Sequence, residues 1–181
     1  MKPNLNQTAI TYGVITGLIY LALTFGAWAL GDTGTFVSIT GITTFLPYVI
    51  VTLIIVGIKL RKNNNNLLSF QEALKFTFLA YVIYALIEAI GNYVLYALVD
   101  PDLTAKVMEI TMQKTIKMME KFGASEQQME EAMGKVNEEP KHTSFKQIFL
   151  GLGITLIWNF CKSLLISLII RKEAKFEDQL Q

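Results

Sequence analysis

Four apolar stretches, each long enough to cross a lipid bilayer, constrain this chain more than any other feature. A membrane-spanning helix needs about 20 predominantly apolar residues at 1.5 Å rise each. The stretches run over about 10–30, 36–58, 74–99 and 148–170. Backbone amides in hydrocarbon must be satisfied within the segment, so these stretches must be helical. The expected fold is all-α: a single four-span membrane domain over residues 1–181. The turn Gly31-Asp32-Thr33-Gly34-Thr35 is too short for anything but antiparallel neighbours on either side.

Composition excludes the alternatives. Apolar residues make up 52% of the chain and charged residues 17%, against about 25% charged in soluble domains. That rules out a disordered chain. One cysteine, Cys161, rules out a disulfide within the chain. Lys+Arg 16 against Asp+Glu 15 leaves no basic excess for nucleic acid. Ala27-Trp28-Ala29 has the form of a signal-peptidase site and Lys2 could be its charged start. The run is long for a signal peptide and contains Thr11, Tyr12, Thr16 and Tyr20, so a span is expected instead.

Orientation follows the lysines and arginines. Lys59, Arg61, Lys62 and Lys75 flank the loop after the second span, and Arg171, Lys172 and Lys175 follow the fourth. The 31–35 turn carries none. Both termini and the 59–73 loop are therefore expected in the cytoplasm, and the 31–35 turn and 100–147 segment outside. Asn63-Asn64-Asn65-Asn66 reads as a solvated linker.

Residues 100–140 read as an extracytoplasmic amphipathic helical hairpin. Asp100-Pro101 suits a helix start. From Leu103 to Phe122 apolar and charged residues fall on opposite halves of the helical wheel, and Gly123 suits a stop. Ser125 to Gln128 reads as a capping box, as do Ser69 to Glu72 and Ser144 to Gln147. Pro140 should end the second helix. Six of the seven methionines lie in this segment, with Met108, Met112, Met119 and Met133 as candidate partner contacts. Thioethers can hold Cu(I), but only His142 lies nearby, so packing or partner contact is the expected role and no cofactor is assigned.

The polar residues inside the spans form a second candidate site. Glu88 lies ~18 Å and Lys162 ~12 Å from the cytoplasmic ends of their helices, at 1.5 Å per residue. Asn92 and Asn159 sit one turn from them, and Tyr81 and Tyr84 extend the stripe. An ionisable group at mid-bilayer costs at least ~2.5–3.5 kcal/mol, so these faces should meet. The expectation is a Glu88–Lys162 pair, with Lys162 partly reaching back toward the headgroups. Such a cluster either fastens helices together or couples to an ion or proton. Gly13 and Gly17 suit a close helix approach, and Pro47 should kink the second span.

No phosphate loop, paired-His zinc helix or Cys-x-x-Cys occurs, so an enzyme is not expected. The leading expectation is a non-enzymatic structural or interaction protein, contacting the bilayer and a second copy or a membrane-protein partner through the Met-rich hairpin. The alternative is a small oligomeric ion- or proton-coupled transporter using Glu88 and Lys162. Phe70-Gln71-Glu72-Ala73 opening the third span, Tyr96 preceding Asp100-Pro101, and Gly123-Ala124-Ser125-Glu126-Gln127-Gln128 together resemble the membrane family catalogued as domain of unknown function 4199. That resemblance covers nearly the whole chain. It implies a four-span protein of a Gram-negative bacterial inner membrane, and no activity, cofactor or catalytic residue.

Overall fold

The apolar stretches fold as helices in the computed structural model, which describes residues 4–45, 47–137 and 143–173. Lys2, Pro140, His142 and Lys175, used in the sequence reading, lie outside the described residues. Helix α1 spans Leu5–Ala29, α2 Thr33–Phe45, α3 Tyr48–Asn63, α4 Phe70–Tyr93, α5 Leu103–Lys121, α6 Glu126–Asn137 and α7 Phe145–Ile170. Four spans are long and apolar enough to cross a membrane: Leu5–Ala29, Thr33–Asn63, Phe70–Val99 and Phe145–Ile170. Leu18, Ile55, Ile90, Ile154 and Leu165 lie exposed on them, as a lipid-facing surface requires.

Proline 47 does more than kink the second span. It lacks an N–H and sits at φ −80°, ψ 31° as the N-cap of α3, so α2 and α3 are separate helices. The many hydroxyls of α2 are accommodated locally. Ser38, Thr40, Thr43 and Thr44 each donate to the carbonyl four residues back at 2.8–2.9 Å.

The three expected capping boxes form. Ser69 N–H donates to Glu72 Oε2 at 2.9 Å and Glu72 N–H to Ser69 Oγ at 3.3 Å. Ser125 pairs in the same way with Gln128, and Ser144 with Gln147. At the end of α5, Gly123 takes φ +76°. Its N–H meets Glu120 O and that of Ala124 meets Met119 O, both at 3.0 Å. This double bond satisfies orphan carbonyls at a left-handed residue, which glycine adopts without strain.

Asp100 is not the N-cap residue of α5, although the Leu103 N–H at the helix start still acts on its carboxylate. The end of α4 widens into a π-helical turn over Val94–Val99, where Asp100 N–H reaches Leu95 O at 2.9 Å. Asp102 stands at the N-cap without a side-chain bond. The Asp100 carboxylate instead accepts from Trp28 Nε1 at 3.2 Å and Lys106 Nζ at 3.3 Å.

The described residues group into two compact units. One comprises residues 4–21, 47–89 and 149–173. Its core holds Ala9, Leu53, Phe76, Ala80, Ile166 and Ile170. Gly13 and Gly17 let α1 press on α4: a Cβ at Gly13 would meet Ala80 O at 2.6 Å, and one at Gly17 would meet Ile87 at 2.9 Å. Leu68 and Lys172 exchange two backbone bonds at 2.8 Å, tying the loop after α3 to the end of α7.

The other unit comprises residues 22–45, 90–137 and 143–148. Its core is Ala27, Phe36, Leu95 and Leu103. Helix α5 packs on both α2 and α6. Lys114 Nζ donates to Ser38 Oγ at 2.9 Å across the α2–α5 contact.

Candidate functional site

Helices α4 and α7 meet along a stripe of small and polar side chains. On α7, Asn159, Ser163 and Ser167 follow at four-residue spacing, so they share one face, and all three are buried. Ser163 Oγ and Ser167 Oγ donate to the carbonyls four residues back at 2.7 and 2.6 Å. Thr77 of α4 reaches this stripe, with Oγ1 3.1 Å from Ser167 Oγ and 3.4 Å from Ser163 O. This hydroxyl ladder fastens the two helices and satisfies its own polar atoms.

One turn further along both helices the satisfaction stops. Asn159 is 1% exposed and Tyr81 2%. Among the described residues, Asn159 Nδ2, Tyr81 Oη and Tyr48 Oη are buried without a hydrogen-bond partner. The Tyr48 hydroxyl neighbours that of Tyr84 with geometry short of a formed bond. A fourth such atom, Arg61 Nε, lies on a side chain whose Nη1 already donates to Ile170 O at 3.2 Å. A buried polar group without a partner costs ~1–3 kcal/mol, and no bulk water offsets that within hydrocarbon.

The sequence-derived cluster is partly assembled here. Lys162 Nζ donates to Asn159 Oδ1 at 3.4 Å and lies 5.9 Å from the centre of the Tyr81 ring. It does not reach back toward Ile170 and the headgroups, as the sequence suggested. Helical side chains lean toward the N-terminus, which turns the ammonium toward Asn159. Glu88 is half-buried. It attracts Lys162 electrostatically without a direct ion pair, so the expected close pair is replaced by longer-range attraction. Asn92 is half-buried, has a partner of its own, and belongs to the second unit.

Sequence reasoning missed Thr77, Ser163, Ser167 and the position of Tyr48. The four-residue spacing of Asn159, Ser163 and Ser167 was the available signal. Their serines read as tolerated polar residues of an apolar run until their shared face was seen against α4.

The Met-rich segment is less available than its sequence implied. Met108, Met112 and Met119 are half-buried. The exposed apolar residues near the α5–α6 turn are Phe122 at 84%, Met118 at 56% and Met133 at 46%. Among the described residues no three His, Cys, Asp or Glu converge in a metal-binding group.

Two open clefts offer weaker chemistry. One, of about 420 Å³, lies beside Trp28, Asp32 and Asp100. Both carboxylates there are engaged. Hydrogen bonds from Thr35 hold Asp32 below the ordinary carboxylate value. Burial pushes Asp100 up, but bonds from Trp28 and Lys106 outweigh it and leave it lowered. The other, of about 400 Å³, lies between the start of α1 and the end of α3, where Gln7, Lys59 and Asn63 stay exposed. Among the described residues, neither cleft is lined by a buried polar atom without a partner.

A family model described as protein of unknown function (DUF4199) matches residues 11–172. No curated protein and no solved structure matches the chain.

Proposed function

The chain belongs to the DUF4199 family, and from that premise we propose that it is a non-enzymatic, ion- or proton-coupled transporter working through the polar cluster of α4 and α7. The observation that carries the reading is Asn159. Its amide is buried among apolar helices, one of its donors is unpaired, and the neighbouring lysine leans toward it. A purely structural fastener is expected to satisfy its own atoms, as the Thr77–Ser163–Ser167 ladder does. An unpaired donor beside an ammonium that a carboxylate acts on at longer range suits a site that takes and releases an occupant.

The protein sits in this reading in a bacterial inner membrane with both termini and the 63–66 loop cytoplasmic. Cysteine labelling at Asn64 from the cytoplasmic side and at Gly123 from the opposite side tests that orientation. Flux is tested in liposomes containing the purified chain. Dissipation of an imposed pH or ion gradient should fall at least tenfold in Glu88→Gln and Lys162→Met with the helical content unchanged. Equal flux in all three proteins would sink the reading.

A second reading rests on Phe122, exposed at the turn after α5 beside Met118. These apolar side chains suit contact with a membrane-protein partner or a second copy. Cross-linking in native membranes should then trap a neighbour at this turn, and Phe122→Ser should abolish the product.

A further inference from the structure

The unpaired atoms of the cluster are hydrogen-bond donors, which restricts what can fill it. Lys162 Nζ donates to Asn159 Oδ1, so the amide oxygen faces the ammonium and the hydrogens of Nδ2 stay unused. An ammonium has no lone pair, which removes the usual ambiguity between an amide's oxygen and nitrogen. The Tyr81 hydroxyl has a proton to give and no acceptor among the described residues. Lys162 has further N–H groups beyond the one directed at Asn159. A metal cation placed here would meet an ammonium and amide hydrogens. An acceptor would meet donors from α4 and α7 together.

Charge narrows the class further. Among the described residues no carboxylate is in direct contact with Lys162, and Glu88 acts on it only at longer range. Lys162 is itself exposed on α7, on a segment read as lying in hydrocarbon, and an ammonium there calls for one negative charge close by. We infer that Asn159, Tyr81 and Lys162 form a binding site for a small monovalent anion of the chloride or nitrate class. This rests on the transport reading above and names its substrate class.

Glu88 then has a defined part. As a carboxylate it competes with the anion for the field of Lys162; once protonated it does not. Proton binding at Glu88 and anion binding beside Lys162 therefore favour each other, by linkage. The groups around Glu88 add no second fixed charge. Tyr84 lies on the same helix, Tyr48 faces both from α3, and Tyr20 of α1 stacks edge-on against Tyr84 at 6.0 Å. Anion affinity should rise as pH falls.

The test uses the full chain in neutral-lipid nanodiscs, titrated with sodium chloride or sodium nitrate against sodium gluconate at equal ionic strength. A ligand that binds the native state raises the melting temperature in a saturable way. Chloride or nitrate should do so where gluconate does not, more tightly at pH 5 than at pH 8. Asn159→Asp replaces the donor by an acceptor, and Tyr81→Phe removes one atom; each should weaken the anion at least tenfold, with circular dichroism reporting the fold. If chloride and nitrate match gluconate while Glu88-dependent flux persists, the anion assignment is overturned and the transport reading stands. Absence of both binding and flux overturns both. Undiminished binding by folded Asn159→Asp also overturns the assignment.

Discussion

Lys162 donates to the side-chain carbonyl of Asn159 at 3.4 Å, one turn toward the start of α7. That contact fixes the amide's orientation and leaves its nitrogen without an acceptor. Lys162→Met should free the amide to flip. Saturable anion protection would then disappear, while the unfolding free energy changes by no more than about 1 kcal/mol, since a single net hydrogen bond contributes about that much. Denaturant titration of the variant checks the second part and anion titration the first.

Tyr81→Phe separates stability from function. The hydroxyl is buried without a partner, so deleting it removes an unmet donor. Stability should hold or rise by up to about 1 kcal/mol, while flux falls. A loss of more than ~2 kcal/mol would mean that the hydroxyl is bonded in the native membrane protein by something stable and structural.

Close approach of α1 and α4 is testable by a matched pair. Gly13→Leu would drive a Cβ to within 2.6 Å of Ala80 O. Overpacking of this kind costs about 1–3 kcal/mol. Gly26, on the same helix, has nothing within 4 Å of its Cβ position, so Gly26→Leu should leave the melting temperature close to that of the parent. Equal losses in both would remove the helix contact as the cause.

The Trp28–Asp100 bond gives the second unit a pH response. Asp100 is held below its ordinary value of 3.8, because bonds from Trp28 and Lys106 outweigh burial. A carboxylate depressed in the folded state stabilises fully above its unfolded value. Its contribution is lost as pH falls through 3.8 and then through the lower folded value. In a Trp158→Phe background, Trp28 fluorescence should be flat from neutral pH down to the low fours and change below. Asp100→Asn should remove that change, and a transition centred above pH 5 would contradict the assignment.

Sequence made local features legible because their causes are local. Periodicity and length marked the spans, and the spacing of Ser69 with Glu72, Ser125 with Gln128 and Ser144 with Gln147 marked helix starts. Gly123 marked a stop because its left-handed φ favours glycine. The packing of α5 on α2 was hidden, since it depends on which apolar faces meet rather than on any one segment. The π-helical end of α4 was hidden too: Val94–Val99 differs little in composition from the turn before it. In the site, the residue types were readable but the geometry was not. Opposite charges at similar depth suggested a Glu88–Lys162 pair, whereas the lean of helical side chains gave Lys162 to Asn159.

The most direct measurement is an experimental structure of the chain in lipid at a resolution that shows ordered solvent, collected in chloride or nitrate at low pH. One non-protein density is expected within hydrogen-bonding distance of both Asn159 Nδ2 and the Lys162 ammonium, with the Tyr81 hydroxyl directed at it. Asn159 Nδ2 and Tyr81 Oη bonded directly to protein atoms, with no occupant beside Lys162, would contradict the anion assignment.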